Sequence, residues 1–392
     1  MADHRILVLA DDLTGALEVG AKFAAAGVRS QVRTVQNLLP RDLHDATGAL
    51  VVDTETRHAK AAEAARRVYD LACAAHGQGF SHVYKKTDST LRGNIGVELA
   101  ALIDAYEGSP LLYVPAYPQM RRTVRNGSLY VDGVRVGATC FAHDPFNPVK
   151  ESHIPTLLAA SCRVPVRSGP VRDVMNCVPS CIAVCDGETD AEVEAAARAF
   201  ISSANFRLAA GPAGFATQLA RLMDMPRRRE PPALPSARNA LIVNGSLHKV
   251  SLQQVEQAKR EGFRAIDSRS ISDAATEGGW IILEEGSGTS GATFDFAKSL
   301  ARSVCQLLVR SPLDALVVFG GDTAYAIVEA IGHPPLHPLG EVMEGIPISR
   351  IEAKQFGAHI GHRDRDLYLV TKAGSFGPPT VLASLRDSLG ER

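Results

Sequence analysis

The chain has 392 residues, of which 45% are hydrophobic and 22% are charged. A chain of this size and composition can bury a sizeable core, and we expect two domains rather than one. The formal net charge is −1, so no global basic field is available to attract nucleic acid or an anionic membrane, and a small molecule is the expected ligand.

The first predicted element is a strand that leads directly into a helix. The apolar run in RILVLA, residues 5–10, predicts a buried strand, and the apolar spacing from Leu13 onward predicts a helix. Asp11 and Asp12 therefore follow the carboxyl end of a strand, where open α/β sheets bind ligands. One aspartate is explained by helix capping. Two exceed what a cap needs, and they repel each other unless a cation, a hydroxyl donor or a metal lies between them.

Nothing in the sequence indicates export or membrane insertion. The opening residues MADHRILVLA lack the positive flank, apolar core and cleavage site of a signal peptide. No apolar run approaches the ~20 residues that a membrane-spanning helix needs. We therefore expect a cytoplasmic protein without membrane partners.

Two further strands of the N-terminal half end in charged residues. ALVVD is followed by TETRH, which contains Arg57, and FSHVY is followed by KKTDSTLRGN. The second stretch contains Lys86, Thr87, Asp88, Ser89 and Arg92. If these strands are parallel neighbours of the first, their ends form one crevice with both signs of charge. Structural alternatives stay open, since Ser89 is a possible helix cap and Arg92 a possible partner of Glu98.

Such a crevice suits a small polyhydroxylated anion. Arginine and lysine pair with a carboxylate, while aspartate accepts hydrogen bonds from hydroxyl groups. The sequence therefore predicts a sugar-acid type of ligand at this edge of the first sheet.

Apolar strands alternate with amphipathic helices along the whole chain, which predicts an α/β fold. We expect two domains, each with a largely parallel sheet flanked by helices. Prolines and a charge run interrupt the pattern in Met225–Asn239, so we divide the chain into residues 1–235 and 236–392. In the first domain, Arg122–Val136 contains Asn-Gly and Asp-Gly turns and predicts a β-hairpin excursion from the parallel sheet.

Neither the cysteines nor the histidines indicate a metal site. The seven cysteines are scattered and do not form a disulfide framework. We expect buried reduced thiols at Cys177, Cys181 and Cys185, although their clustering has no explanation. His359 and His362 are expected in a loop or on the surface, because no metal-binding spacing is present.

Glycine-rich turns follow three strands of the second domain. The turns contain Ser246 in NGS, then Gly320, Gly321, Asp322 and Thr323 in GGDT, and finally Lys372, Gly374, Ser375, Phe376 and Gly377 in KAGSFG. Glycine allows close backbone approach, and the N–H groups of a helix N-terminus bind phosphate oxygens. Although the P-loop and dinucleotide motifs are absent, three such turns in one domain predict a nucleotide polyphosphate site.

A charged domain joined to a domain of glycine turns indicates two ligands that meet in a cleft. Phosphoryl transfer fits, because it needs mainly positioning, charge neutralisation and a base for the attacking hydroxyl. Two alternatives stay open. One is a nicotinamide-dependent oxidoreductase of sugar acids, which the missing dinucleotide motif disfavours, and the other is a sensor that binds nucleotide and acid sugar without catalysis.

The motifs LADDLTGA, KKTDSTLRGN, PAYPQMRRTV, FGGDTA and KAGSFG resemble, in this order, those of the four-carbon acid sugar kinases. The resemblance covers nearly the whole chain. It implies phosphorylation of D-threonate, D-erythronate or 3-oxo-tetronate by ATP, with acid-sugar binding in residues 1–235 and nucleotide binding in residues 236–392. It assigns the acid-sugar site to Asp12, Arg57 and Lys86 through Ser89, and the ATP site to Ser246, Gly320 to Thr323 and Gly374 to Gly377.

These assignments lead to a hypothesis for the mechanism. Arg57 and Lys86 are expected to bind the carboxylate of the acid, while Asp12 orients the accepting hydroxyl and takes its proton, with Asp88 as the alternative base. Mg²⁺ is expected to bridge ATP oxygens, with Asp322 as its protein contact and no dedicated protein metal site. A homodimer is also considered, with the hairpin region near Tyr130 as its candidate surface.

Overall fold

The computed structural model describes residues 5–176, 179–230, 232–267, 278–284, 293–356, 360 and 364–390. The chain forms two compact units, one of Met1–Ser30 with Leu38–Glu230 and the other of Gln31–Asn37 with Pro231–Arg392. Both are α/β, as predicted, whereas the binding role assigned to each unit stays a prediction. Among the helices that the structure describes, none combines the length and the apolar character needed to cross a membrane.

The first unit contains the strands β3-β1-β4-β11-β5-β10-β9 of an eight-stranded sheet in the order β2-β3-β1-β4-β11-β5-β10-β9. The remaining strand, β2, begins at Ser30 and otherwise falls in Gln31–Asn37, which is grouped with the second unit. The strands of this sheet are β1 Ile6–Ala10, β2 Ser30–Thr34, β3 Ala49–Asp53, β4 His82–Lys86, β5 Leu111–Tyr113, β9 Val166–Gly169, β10 Ile182–Cys185 and β11 Leu208–Gly211. From β3 to β9 every neighbouring pair is parallel. β1 is buried at every residue, because a central parallel strand is covered on both faces.

Helices cover this sheet. They are α1 Leu13–Ala25, α2 Pro40–His44, α3 Ala61–Gly77, α4 Ile95–Ala105, α5 Ile154–Ala159, α6 Val171–Val174, α7 Asp190–Ser202 and α8 Ala213–Leu222. α1 packs against α8, and α3 packs against α4. Side chains along each strand point alternately to the two faces of the sheet. The helices therefore bury the apolar side chains on those faces.

A separate antiparallel sheet confirms the predicted hairpin excursion. Its strands are β6 Arg122–Arg125, β7 Ser128–Val131 and β8 Val134–Arg135. Asn126 and Gly127 have φ of +46° and +70°, and Asp132 and Gly133 have φ of +52° and +80°. Two consecutive positive φ values define the turn type that the Asn-Gly and Asp-Gly dipeptides favour.

The second unit is built on a seven-stranded sheet in the order β13-β14-β12-β15-β18-β17-β16. Its strands are β12 Ala240–Asn244, β13 Arg264–Asp267, β14 Trp280–Glu284, β15 Ala315–Phe319, β16 His337–Met343, β17 Ile346–Ile351 and β18 Leu367–Lys372. Five strands are parallel, while β17 and β16 continue the sheet in antiparallel fashion. This antiparallel edge was not predicted from the sequence.

The helices of the second unit are α9 Lys249–Arg260, α10 Thr293–Arg310, α11 Gly321–Ala330 and α12 Val381–Leu389. α9 packs against α12, and α10 packs against α11. The buried core below α9 and α12 includes Ile242, Val317, Phe319 and Leu385. Inward-facing residues of neighbouring parallel strands thus share one apolar layer.

The cysteine prediction is partly wrong. Cys185 is a buried free thiol, and burial raises its pKa to about 12. Cys181 is disulfide-bonded, so the expectation of a reduced thiol there is corrected. An apolar environment does not prevent oxidation where a second sulfur lies within bonding distance, and spacing in the sequence does not reveal that distance. Cys177, His359 and His362 lie outside the described residues.

The capping box of α7 gives a test of this fold. Thr189 Oγ1 accepts from the N–H of Glu192, whose Oε2 accepts from the N–H of Thr189. Thr189→Ala should lower the free energy of unfolding by about 1 kcal/mol, measured by urea unfolding. Ser202→Ala, at the exposed last residue of the same helix, should change it by less than about 0.5 kcal/mol. Equal effects of the two variants would contradict the cap.

Candidate functional site

Three polar strand ends of the first unit lie side by side. In the register of the sheet, Ala10 pairs with Asp53 on one side and with Lys86 on the other. The residues after β1, β3 and β4 therefore leave the sheet at one edge, as expected if the three strands were parallel neighbours. Asp11, Arg57 and Asp88 meet there.

The guanidinium group of Arg57 lies among three carboxylates. Its Nε and Nη2 donate to the two oxygens of Asp11 at 2.8 and 2.9 Å, and its Nη1 donates to Asp12 Oδ2 at 2.5 Å. Nη2 also lies 3.9 Å from Asp88 Oδ2. Burial alone would raise the pKa of Asp11, but Arg57 and the two nearby lysines hold it below its usual value. Arg57 is thus the cation that the adjacent aspartates require.

Asp12 caps a helix and is also accessible to solvent. Its Oδ1 accepts from the N–H of Gly15 at 2.8 Å and caps α1, while Oδ2 pairs with Arg57. The side chain of Asp12 is 21% exposed, against 3% for Asp11 and 8% for Asp88. Of these three carboxylates, Asp12 is therefore the one that a ligand reaches most easily.

Asp88 is saturated by its own loop. Its Oδ1 accepts from the backbone N–H and the hydroxyl of Thr90, and Oδ2 accepts from Arg92 Nη2 at 2.8 Å. Burial would raise the pKa of Asp88, but Arg92 and Arg57 hold it well below its usual value. A carboxylate with so low a pKa is a weak base, and Asp88 organises the loop that contains the half-buried Ser89.

Arg92 does not pair with Glu98, which was the structural alternative. Besides Asp88, it contacts Asp144 Oδ2 at 3.2 Å through Nη1. Thr87 continues β4 into the site, where its N–H donates to Gly211 O at 2.9 Å. The predicted residues of the first unit are therefore gathered at one sheet edge, with Arg92 at its outer side.

The ammonium group of Lys86 approaches the start of α1. It is nearly buried and lies 3.6 Å from Glu18 Oε2. A Cβ atom added to Gly15 would stand 2.7 Å from Asp12 Oδ1 and 2.9 Å from Lys86 Nζ. The close approach of Lys86 and Asp12 to this helical turn therefore depends on the absence of a side chain at Gly15.

A buried network below this edge was missed from the sequence. Lys85 Nζ lies 3.2 Å from Glu98 Oε2, and both side chains are at most 1% exposed. Glu98 Oε1 accepts from Thr56 Oγ1 at 2.5 Å, and Thr56 Oγ1 lies 2.7 Å from Thr54 Oγ1. The network fixes the loop that presents Arg57. A signal existed, because alternation along β4 points Lys85 to the face opposite Lys86, and Glu98 lies among apolar residues of α4.

The glycine turns of the second unit also lie side by side. Asn244 at the end of β12 pairs with Phe319 at the end of β15, and Phe319 pairs with Lys372 at the end of β18. Backbone bonds extend the ladder past the strands, since Gly245 N donates to Phe319 O and Gly320 N donates to Lys372 O. The three turns therefore leave one sheet edge together.

These turns pack closely on one another. A Cβ atom on Gly245 would lie 1.7 Å from Thr323 Oγ1, and one on Gly374 would lie 2.5 Å from Ser246 Oγ. Gly320 has φ of +105° and precedes α11, whose first turn begins with Gly321. The first N–H groups of a helix have no partner inside the helix and remain available to a ligand.

The polar side chains of these turns differ in accessibility. Ser246 Oγ accepts from the N–H of His248 at 3.2 Å, and Asp322 is exposed in the first turn of α11. Lys372 is buried, and its ammonium group donates to backbone carbonyls of the loop that follows. Gly374, Ser375, Phe376 and Gly377 form that loop.

Comparisons with known families divide the chain in the same order. A family model described as a sugar-binding N-terminal domain matches residues 6–219, and one described as a nucleotide-binding C-terminal domain matches residues 283–382.

The chain is similar over its full length to named kinases. It is 30% identical to the D-threonate kinase of Bordetella bronchiseptica, over 100% of this chain and 99% of the relative. It is 27% identical to the D-threonate kinase of Salmonella typhimurium, over 96% of each chain. Other relatives are named D-erythronate kinase, from Heliobacterium modesticaldum, and 3-oxo-tetronate kinase, from Brucella melitensis.

Solved structures share the fold. A Haemophilus influenzae protein superposes with a TM-score of 0.75 at 19% identity, over 98% of this chain and 100% of the other. A Bordetella bronchiseptica protein, described as a domain-swapped dimer with bound citrate, is 28% identical with a TM-score of 0.50 over 99% of both chains.

The buried ion pair gives a second test. Glu98→Gln should leave Lys85 without its counter-charge and lower the free energy of unfolding by about 3–5 kcal/mol, measured by urea unfolding. The matched control is Glu194→Gln, which breaks the more exposed pair with Arg198 and should cost less than about 1 kcal/mol. Similar losses in both variants would show that the buried pair contributes no more to the free energy of unfolding than the exposed pair.

Proposed function

This chain belongs to the four-carbon acid sugar kinase family, and from that premise we propose that it transfers the terminal phosphoryl group of ATP to a hydroxyl of a four-carbon sugar acid. It is a phosphotransferase that acts on an alcohol group. The alternatives, a nicotinamide-dependent oxidoreductase and a sensor without catalysis, are not favoured. Where the two ligands meet stays a prediction.

Asp12 is the proposed base. The observation that carries this assignment is its position beside Arg57 with a side chain 21% exposed, whereas Asp11 and Asp88 are nearly buried. Asp12 accepts the proton of the attacking hydroxyl as its oxygen bonds to the terminal phosphorus of ATP, while the bond from that phosphorus to the bridging oxygen breaks and ADP leaves. The N–H of Gly15, which donates to Asp12 Oδ1, holds the carboxylate in place.

Arg57 and Lys86 are the proposed partners of the acid's carboxylate. Arginine has five N–H donors, and within the described part of the chain Arg57 directs three of them to Asp11 and Asp12. One N–H on each of Nη1 and Nη2 makes no hydrogen bond to these two aspartates, and Nη2 also lies 3.9 Å from Asp88 Oδ2. Because Arg57 also pairs with Asp12, the same side chain would hold both the acid and the base.

The glycine turns of the second unit are the proposed ATP site. Ser246, Gly320 to Thr323 and Gly374 to Gly377 lie in turns at one sheet edge, and the backbone N–H groups among them that have no partner within the protein suit phosphate oxygens. Mg²⁺ would neutralise phosphate charge when bound, with Asp322 in reach of solvent to contact it or its water. Among the described residues no three acidic, histidine or cysteine side chains form a metal-binding group.

A homodimer is also proposed. The support is the Bordetella bronchiseptica protein described as a domain-swapped dimer, at 28% identity over nearly the full chain. The predicted surface near Tyr130 stays a prediction.

The activity is tested by incubating the purified chain with Mg-ATP and a panel of four-carbon acids. We expect ADP release that depends on one or more of D-threonate, D-erythronate and 3-oxo-tetronate, with one phosphoryl group recovered on the acid per ADP formed. ATP hydrolysis that is independent of every acid, or reduction of a nicotinamide cofactor by the same acids, would contradict the proposal.

Asp12→Asn tests the base. Asparagine keeps the side-chain oxygen that caps α1 but cannot take a proton, so kcat should fall by roughly 10²-fold or more while ATP affinity is retained. Circular dichroism checks the fold. Asp70→Asn, on an exposed ion pair of α3, is the control and should leave kcat unchanged. Near-normal turnover by Asp12→Asn would remove Asp12 from the role of base.

A further inference from the structure

The loop after β18 has an unusual arrangement of backbone carbonyls. Lys372 Nζ donates to Ala373 O at 2.9 Å, to Gly374 O at 3.3 Å and to Phe376 O at 3.0 Å. Gln254 Nε2, on α9, lies 2.9 Å from Phe376 O, 2.9 Å from Gly377 O and 3.0 Å from Pro378 O. Two side chains therefore hold the carbonyl groups on one side of the loop.

Both of these side chains are buried. Lys372 is 1% exposed and Gln254 is fully buried. Lys372 Nζ also lies 4.3 Å from the centre of the Phe319 ring and 3.3 Å from Ser251 Oγ, which itself donates to Gly374 O at 2.8 Å. Burial lowers the pKa of Lys372 to about 8. Within the described residues no carboxylate pairs with this ammonium group, so its ligands are carbonyls, a hydroxyl and an aromatic face.

The N–H groups of the same loop differ from its carbonyl groups in their hydrogen bonding. Phe376 N donates to Ala373 O at 3.1 Å. In the part of the chain that the structure describes, no hydrogen bond engages the N–H of Gly374, Ser375 or Gly377. Neighbouring backbone N–H groups of a turn that are free of internal partners can together bind an anion.

We propose that Lys372 and Gln254 are positioning residues that turn the carbonyls of Ala373, Gly374, Phe376, Gly377 and Pro378 inward, so that the N–H groups of Gly374, Ser375 and Gly377 are free to bind nucleotide phosphate. This inference rests on the proposed function. Lys372 then acts through the loop and not by contact with phosphate, which differs from the role expected from the sequence. Its unpaired positive charge below the loop also favours an anion above it.

Gln254 separates this proposal from direct phosphate binding by Lys372. Gln254 has no charge, and its donors are directed to carbonyl groups, so it has no direct attraction for phosphate. Under the proposal, Gln254→Met and Lys372→Met both weaken the binding of nucleotide phosphate to the loop. If Lys372 bound phosphate directly, only the lysine variant would weaken that binding.

The experiment measures the affinity of each variant for MgATP, ADP and adenosine by calorimetry or competition. We expect Gln254→Met and Lys372→Met each to weaken MgATP and ADP binding by at least about 10-fold, by analogy with the loss of affinity when outer-shell partners of a metal site are removed. Adenosine has no phosphate, so its affinity should be unchanged. In turnover, KM for ATP should rise while KM for the acid stays constant.

Gln257→Met and Lys259→Met are the matched controls, because both residues lie on α9 and bond to side chains away from the loop. They should leave all three affinities unchanged. The double variant Lys372→Met with Gln254→Met should lose less than the product of the two single effects, because both act on one loop.

The outcomes separate the inference from the function on which it rests. If the unmodified chain neither binds MgATP nor releases ADP, the proposed function fails. If it does both and Gln254→Met binds MgATP normally, the positioning role alone is overturned. Equal losses for MgATP and adenosine would indicate general damage to the second unit and would also overturn it. If Lys372→Met does not fold, Gln254→Met still decides the matter.

Discussion

One guanidinium group organises the polar edge of the first unit. Arg57 brings Asp11 and Asp12, two carboxylates that would otherwise repel each other, into a single cluster with Asp88 nearby. The arginine is presented by a loop that the buried network of Thr56 and its neighbours fixes from below. The charges at the surface of the site thus depend on polar contacts that no solvent reaches.

The two units position their polar groups by different means. In the first, side-chain charges project from the ends of adjacent parallel strands. In the second, the proposed donors are backbone N–H groups, and the buried side chains of Lys372 and Gln254 bond to carbonyl groups of the same loop. Charged side chains suit a small acid with several hydroxyl groups, whereas a row of N–H groups suits phosphate oxygens of a larger ligand.

Much of the fold and of the candidate site was predictable from the sequence, because local chemistry determines those parts. The hairpin follows from its Asn-Gly and Asp-Gly turns, and the gathering of Asp11 and Arg57 follows once their strands are parallel neighbours. Pairings between distant segments were not predictable, because the sequence does not state how close two such segments lie in the folded chain. The missed features were the antiparallel edge of the second sheet, the disulfide at Cys181, the partner of Lys85 and the inward direction of Lys372.

The burial of Lys85 against Glu98 constrains how this protein can diverge. Loss of either charge alone leaves the other stranded in an apolar interior, so single-step replacement passes through a poorly folded intermediate. Joint replacement by two apolar residues of similar volume avoids that penalty, but it also removes the acceptor of Thr56. These positions are therefore expected to change together or not at all when the chain is diversified by mutagenesis.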